Sequence, residues 1–184
     1  MVGRFFPGAL VSLCMATLLP GCGPGIAAAL VDDGAALLAE RTLIVPVQGV
    51  AGAALNDTFS QGRGSRRHEA LDIMAPRGTR VFAVDDGKLV KLFNSAPGGL
   101  TAYQFDPNGN LAYYYAHLDR YAEGLKEGAA LRRGDLIGYV GSSGNASPDA
   151  PHLHFAVFRL GPQREWWKGT AVNPYPVLRH AATW

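Results

Sequence analysis

The sequence from Thr42 onward is divided by turn-forming residues into short segments, and this division limits the possible folds more than any other feature. Apolar or alternating runs are repeatedly interrupted by glycine, proline, asparagine and aspartate. Such interruptions favour short strands joined by turns over a helical bundle. The chain has 23 glycines and 12 prolines, which agrees with this interpretation. No amphipathic helical period competes with the strand pattern.

Eight segments of this region are predicted to be β-strands. They comprise residues 43–47, 70–74, 80–84, 87–93, 100–105, 111–118, 135–140 and 154–159. Between two of them, Asp106-Pro107-Asn108-Gly109 predicts a hairpin turn, because Asn-Gly readily adopts positive φ. The predicted fold class is mainly β, as a single antiparallel domain over residues 42–180 with residues 181–184 as a tail.

Residues 1–22 predict export. Arg4 supplies positive charge, and the apolar stretch that follows is shorter than the roughly 20 residues that span a bilayer. The stretch ends in Leu19-Pro20-Gly21-Cys22, which resembles the lipobox of bacterial lipoproteins. The resemblance implies acylation of Cys22 and a lipid anchor in a membrane of the cell envelope, facing the periplasm or the cell exterior. The alternatives are a plain secretory signal and an uncut signal anchor.

Residues 23–41 are rich in alanine and glycine, and we expect a linker with a short helix over residues 27–40. The two cysteines, Cys14 and Cys22, both precede this linker. The body of the chain therefore has no disulfide framework, cysteine nucleophile or thiolate metal site. With 17 Lys+Arg against 15 Asp+Glu and no basic run interleaved with aromatics, no nucleic-acid partner is expected.

The histidines form the candidate site. His68 and Asp72 are four residues apart, and His152 and His154 are two apart, so that both histidines project from one face of a strand. His117 ends another strand-like run. Catalytic zinc takes three protein ligands and leaves a fourth position for water, a count that one Asp and two His satisfy. The two further histidines could then transfer protons, since imidazole titrates near neutral pH.

Each of these spacings is weak alone, because a single histidine is commonly a surface residue or a hydrogen-bonded core residue. Four of the five histidines nevertheless fall in strand-like segments beside turns. His180 lies apart near the C-terminus, and we expect it to be structural or exposed.

Several ordered motifs of the sequence resemble the lysostaphin/LytM-type zinc endopeptidases. They are His68-Glu69-Ala70-Leu71-Asp72 with the Gly78-Thr79 turn, Tyr115-Ala116-His117-Leu118, the glycine-rich residues 133–145, Pro151-His152-Leu153-His154-Phe155, and the tail Val172-Asn173-Pro174-Tyr175-Pro176. The resemblance covers roughly residues 42–178.

This resemblance implies that His68, Asp72 and His154 bind one Zn²⁺ per chain. It implies that His117 and His152 are the catalytic pair, with the division of roles between them left open. The implied fold is a small antiparallel β-sheet domain with a substrate groove, of the duplicated-hybrid-motif type. The implied activity is hydrolysis of peptide bonds in peptidoglycan cross-links or stems, and we expect a monomer.

The sequence departs from the family pattern at two positions. Ala70 replaces a usual glycine between the first two ligands, and Ala156 replaces a frequent glutamate after the last motif. Neither departure changes a ligand. Residues 146–150 resemble an insertion, and we expect a loop at the rim of the groove.

Aromatic residues near these motifs leave two interpretations open. Tyr113 and Tyr115 alternate on one strand face and favour core packing over a substrate platform. Trp166 and Trp167 either line a groove for the wall polymer or pack, with neither interpretation favoured.

Two other functions compete with the peptidoglycan endopeptidase. Some family members have lost ligands and act as non-enzymatic regulators that activate cell-wall amidases; this chain keeps all three ligand residues and both histidines. A metallopeptidase that cuts Gly-rich proteins is the third possibility.

Overall fold

The computed structural model describes residues 33–182, so Cys22, the predicted signal peptide and the first part of the predicted linker lie outside the described residues. Two short α-helices, one 3₁₀ turn (Gly52–Ala54) and eleven strands occur in this range. The helices are α1 (Asp33–Ala39) and α2 (Tyr175–Leu178), and the strands are β1 (Gly62–Arg63), β2 (Arg66–Arg67), β3 (Leu71–Met74), β4 (Arg80–Phe82), β5 (Gly87–Ser95), β6 (Gly99–Phe105), β7 (Leu111–Tyr121), β8 (Ala130–Leu131), β9 (Leu136–Val140), β10 (His152–Leu160) and β11 (Gly169–Val172).

Nine of the strands form one antiparallel sheet, which confirms the predicted fold class. Its main path is β11-β10-β7-β6-β5-β8, while β3 pairs with β10 and β9 pairs with β4 and β7. Strands β1 and β2 form a separate small hairpin. The central strand β7 has 11 residues and pairs with β10, β6 and β9. Strands β10 and β7 therefore form the centre of the sheet, and both carry candidate site residues.

The turn between β6 and β7 confirms the hairpin prediction. The Asp106 carboxylate accepts hydrogen bonds from the backbone N–H groups of Asn108, Asn110 and Leu111. Gly109 has φ +66°, a left-handed conformation that glycine adopts without a steric penalty. This turn fixes the register in which β7 returns beside β6.

The prediction of a strand over residues 43–47 is wrong. Only isolated bridges occur there, one joining Ile44 to Ala182 and one joining Val47 to Val81. Pro46 has no backbone N–H and so cannot donate to a ladder, although its carbonyl accepts the N–H of Phe82. Strands β1, β2, β8 and β11 and helix α2 were not predicted, since each has only two to four residues.

The core confirms the prediction for two tyrosines of β7. Tyr113 and Tyr115 are completely buried, and their hydroxyls donate to Asp85 and to the Gln104 amide oxygen. The Tyr115 hydroxyl also accepts the backbone N–H of Val84 at 2.9 Å. Because successive strand residues point to opposite faces, Tyr114 projects to the other side of the sheet. The core tyrosines are thus excluded as a substrate platform.

The described part of the predicted linker folds onto the domain. Residues 33–39 form α1, whose Leu38 is 1% exposed and belongs to the hydrophobic core. Asp33 forms an ion pair with Arg159 of β10 at 2.5 Å, and Arg41 bonds to the buried Asp85 at 2.7 Å. Among residues 33–182, no helix has the length and apolar character needed to cross a membrane.

Candidate metal centre

His68, Asp72 and His154 meet at one point of the sheet. Asp72 on β3 lies opposite His154 on β10 in the antiparallel register, and His68 precedes β3. His68 Nε2 lies 3.1 Å from Asp72 Oδ1, and His154 Nδ1 lies 3.2 Å from the same oxygen. His68 Nε2 and His154 Nδ1 are 3.1 Å apart. The structure therefore brings together the three residues predicted to bind the metal.

The spacing of these three atoms fits a zinc ion. Zinc–nitrogen distances of about 2.0–2.1 Å in a tetrahedron place neighbouring ligand atoms about 3.3–3.4 Å apart. The separations of 3.1–3.2 Å between the three atoms are close to that value. Two imidazoles and one carboxylate are also a donor set that zinc prefers.

Thr58 holds two of these residues in place. Its carbonyl accepts a hydrogen bond from His68 Nδ1 at 3.1 Å, so the lone pair of that ring lies on Nε2 and faces the site. Its hydroxyl donates to the Ala70 carbonyl at 3.0 Å and accepts the backbone N–H of Asp72 at 3.1 Å. Thr58 was missed by sequence reasoning, since no local pattern connects it with residues 10 to 14 positions away.

The backbone turns sharply between the first two site residues. Glu69 has φ +56°, a left-handed conformation that non-glycine residues seldom adopt. The N–H of Glu69 donates to the Phe59 carbonyl at 2.9 Å, which stabilises the turn. Ala70 is fully buried and does not have positive φ, so the turn does not require glycine at this position.

Arg63 contacts the second oxygen of the metal-site carboxylate. Its Nη2 donates to Asp72 Oδ2 at 2.8 Å, while Oδ1 faces the two imidazoles. Arg63 lies on β1, in a hairpin whose residues are all exposed. Sequence reasoning did not single out Arg63.

His117 reaches the site through an irregularity in β7. Its φ is +59°, and the pairing of β7 with β9 shifts register just after it, between Leu118 and Arg120. Its Nδ1 donates to the Ser143 carbonyl at 2.8 Å, which leaves the Nε2 lone pair free. A non-glycine residue with this φ at a site is a form of stored strain that often accompanies function.

His152 has the same hydrogen-bond pattern as His117. Its Nδ1 donates to the Ala150 carbonyl at 2.8 Å, and its Nε2 lies 3.6 Å from Asp72 Oδ1. The ring centroids of His117 and His152 are 5.0 Å apart, and those of His117 and His154 are 5.5 Å apart. The structure thus places all five predicted site residues in one cluster, whereas His180 lies at a separate pocket near the C-terminus.

The surroundings of His68, His117 and Asp72 shift the pKa of each of these groups. Burial lowers the pKa of His68, partly opposed by the nearby Asp72. Burial also lowers the pKa of His117, partly opposed by its bond to the Ser143 carbonyl. Burial alone raises the pKa of Asp72, but the hydrogen bond with His154 and the nearby histidines outweigh it, so the pKa of Asp72 is lowered. Neutral imidazoles and an ionised carboxylate are the forms that bind a metal.

The cluster lines a cleft of about 420 Å³ that is open to solvent. Pro97, Gly98 and Tyr114 line it together with the histidines. Ala146 and Ser147 also line it, as predicted for the loop of residues 146–150, and so does the preceding Asn145. The metal-site atoms are therefore accessible to a ligand the size of a short peptide.

Comparison with known proteins supports this description. Residues 66–174 match the model of Peptidase family M23. The chain is 36% identical over 126 residues to the L-Ala--D-Glu endopeptidase of Bacillus subtilis, covering 65% of this chain and 37% of that protein. It is 30% identical over 129 residues to the murein hydrolase activator EnvC of Escherichia coli, covering 70% of this chain and 28% of that protein.

A solved structure shares the fold. The crystal structure of a glycyl-glycine endopeptidase LytM candidate from Ruminococcus gnavus superposes with a TM-score of 0.63 at 31% identity, covering 77% of this chain and 61% of that chain. The chain spans about a third of the length of the two curated relatives.

Proposed function

The chain belongs to peptidase family M23, and from this premise we propose that it is a zinc-dependent endopeptidase that hydrolyses peptide bonds in bacterial peptidoglycan. The observation that carries the proposal is the convergence of three ligand atoms within 3.2 Å of one another, beside two further histidines, in an open cleft. The L-Ala--D-Glu endopeptidase among its relatives supports the substrate class.

His68, Asp72 and His154 would hold a single Zn²⁺. When bound, the ion lowers the pKa of a coordinated water to about 7 and polarises the carbonyl of the bond to be cut. Three protein ligands leave a fourth position open, as catalytic zinc sites require. Thr58 and Arg63 bind the ligand residues themselves, and such outer contacts fix ring orientation and carboxylate position.

His117 and His152 supply proton transfer. Each ring donates its Nδ1 proton to a backbone carbonyl, so the free Nε2 can accept a proton from the attacking water. A protonated imidazole can then donate to the departing amine or to the negative charge that develops on the carbonyl oxygen. His117 on β7 and His152 on β10 lie side by side at the cleft, because the two strands are paired in the sheet. The division of the two proton-transfer steps between them stays open.

The activator function is not proposed as a second candidate. A regulator that acts only through protein contact does not need a complete set of metal ligands. Here the three ligand residues lie together, beside two histidines whose rings are held by hydrogen bonds to backbone carbonyls. The identity to the murein hydrolase activator is also lower than that to the endopeptidase.

We further propose that the protein is acylated at Cys22 and held as a monomer in the cell envelope. The lipobox-like residues 19–22 support the acylation and the anchor, since two or more acyl chains hold a protein stably at a membrane. Metabolic labelling with a clickable fatty acid should mark the wild type and not Cys22→Ala. Equal labelling of both proteins would reject the lipid anchor.

Digestion of purified sacculi tests the enzymatic proposal. Wild-type protein should release fragments whose masses identify the cut bond, and excess chelator should stop the release. His154→Ala should lose both zinc and hydrolysis, whereas His152→Ala should keep zinc and lose hydrolysis. His180→Ala is the matched control, because that histidine lies away from the cleft. Continued digestion by His154→Ala would refute the ligand assignment.

A further inference from the structure

A row of aromatic side chains leads from solvent to the metal centre. We call Trp167, Trp166, Tyr103 and Tyr114 the aromatic row. Their ring centroids are 5.4 Å apart between the two tryptophans, 4.9 Å between Trp166 and Tyr103, and 4.6 Å between the two tyrosines. The ring of Tyr114 lies 5.9 Å from that of His154. The row is thus continuous with the cleft, which Tyr114 also lines.

The row crosses the sheet on the face opposite the core. Tyr103 and Tyr114 are register partners on β6 and β7. Trp166 lies in the segment between β10 and β11, and its ring contacts both Tyr103 and Phe93 of β5. Strands β6 and β7 thereby carry the two tyrosines of the aromatic row, and the segment between β10 and β11 carries its two tryptophans.

The outer end of the row is exposed. Trp167 is 63% exposed and Phe93 is 43% exposed. Single exposed apolar residues are common, but contiguous ones generally mark a binding surface. Trp166 packs against Tyr103 and Phe93, whereas Trp167 contacts Trp166 and lies mostly in water.

The chemistry of the row is apolar and uncharged. It offers flat ring faces together with neutral donors, namely the indole N–H groups and the tyrosine hydroxyls. A pyranose ring has an apolar C–H face with hydroxyls at its edge, so it can cover an aromatic face while its hydroxyls stay hydrated. A stem peptide carries carboxylates and amines, whereas the charged side chains that flank the two tryptophans, Glu165 and Lys168, form an ion pair with each other at 4.0 Å.

We propose that the aromatic row is a subsite for the glycan strand of peptidoglycan. An N-acetylated sugar stacks on Trp167 and Trp166, and the stem peptide attached to it passes Tyr114 into the cleft. The inference rests on the proposed function, and it names the part of the substrate that this site recognises beyond the peptide bond. The enzyme should accordingly prefer stem peptides that are still attached to glycan.

Binding is tested first, without any cleavable peptide. Nitrogen-15-labelled protein is titrated with an N-acetylglucosamine tetramer and followed by NMR. The indole signals of Trp166 and Trp167 should shift, and Trp167→Ala should weaken binding by on the order of tenfold, as expected for one lost stacking partner. Met74→Ala is the matched control, because Met74 is a 56% exposed apolar side chain outside the row. It should bind like the wild type.

Hydrolysis is tested second. The kcat/KM for glycan-linked stems is compared with that for the same peptides freed from glycan by an amidase. Wild type and His180→Ala should prefer the linked form, because His180 lies away from the cleft. Trp167→Ala should lose that preference while cutting free peptide normally.

The outcomes separate the two proposals. If the tetramer shifts neither indole signal while sacculi are digested, the glycan subsite is refuted and the proposed function stands. If Trp167→Ala lowers cleavage of free and linked peptides equally, the row contacts the peptide, which also refutes the subsite. Absence of hydrolysis with either substrate by zinc-loaded wild type would refute the proposed function instead.

Discussion

Replacing Thr58 by valine should weaken both the fold and the metal site. Valine nearly matches threonine in shape but lacks the hydroxyl that joins the Ala70 carbonyl to the Asp72 N–H. Thr58 is 8% exposed, so water cannot easily replace the lost bonds. The bond from His68 to the Thr58 carbonyl is a backbone contact and survives the change.

The magnitude follows from the unpaired groups. A buried donor left without an acceptor costs about 1–3 kcal/mol, and a carbonyl that loses one donor costs less. Together we expect about 2 kcal/mol, which lowers the melting temperature by about 4–8 °C in a domain of this size. Zinc affinity should fall by about 10- to 100-fold, which is typical when a hydrogen bond to a metal-coordinating residue is removed.

Thr58→Ser is the matched control because it keeps the hydroxyl and loses one methyl group, worth about 0.8 kcal/mol. Thermal unfolding followed by circular dichroism in excess chelator measures the fold alone. Competition with a chromophoric chelator measures zinc affinity. If the valine and serine variants agree in both assays, the hydroxyl does not support the site and the reasoning is refuted.

Three other changes probe the charges and the core. Arg63→Met removes the donor to Asp72 Oδ2; we expect up to about tenfold weaker zinc binding in the same competition assay, with less than about 1 kcal/mol lost from folding because Arg63 is half exposed. Arg77→Met removes the hydrogen bond that lowers the pKa of Asp119, so an NMR titration should show that pKa rising toward 3.8. A lowered carboxyl pKa stabilises the fold above pH 3.8, and this contribution is lost as the pH falls through the folded-state pKa. The variant should therefore be the less stable protein at neutral pH, and in strong acid the difference should shrink to the contribution of the lost bond from Arg77 Nη2 to Ser142 Oγ. Phe155→Ala removes a completely buried ring and should cost about 3–5 kcal/mol in urea unfolding; a loss below about 1 kcal/mol would contradict the described core.

The sheet could be predicted from the sequence where strands are long and turns have a specific chemistry. The Asp106–Gly109 turn and the alternation of Tyr113 with Tyr115 each have a local cause, and both predictions are confirmed. Strands of two residues such as β8 carry too few side chains to show a period. Residues 43–47 have strand-like composition, but Pro46 and the partners at Val81 and Ala182 decide their pairing.

The candidate site could be predicted in its composition but not in its supports. His68 and Asp72 are close in the sequence, and so are His152 and His154. Local backbone geometry therefore places the members of each pair near each other. The orientation of the His117 ring depends on its φ of +59° and on a hydrogen bond to the carbonyl of Ser143, 26 residues away.

Thr58 and Arg63 were missed for a related reason. They reach the ligands only because the chain doubles back through the β1–β2 hairpin. Such contacts follow from the tertiary fold and leave no signature in the sequence.

Zinc titration of metal-free protein, with bound zinc and release of sacculus fragments measured on the same samples, tests the central claim most directly. We predict that hydrolysis rises in proportion to bound zinc and reaches its plateau at one ion per chain. We also predict that His154→Ala shows neither the binding nor the activity. Full hydrolysis without zinc, or a plateau that His154→Ala also reaches, would contradict the assignment of His68, Asp72 and His154 as the catalytic metal site.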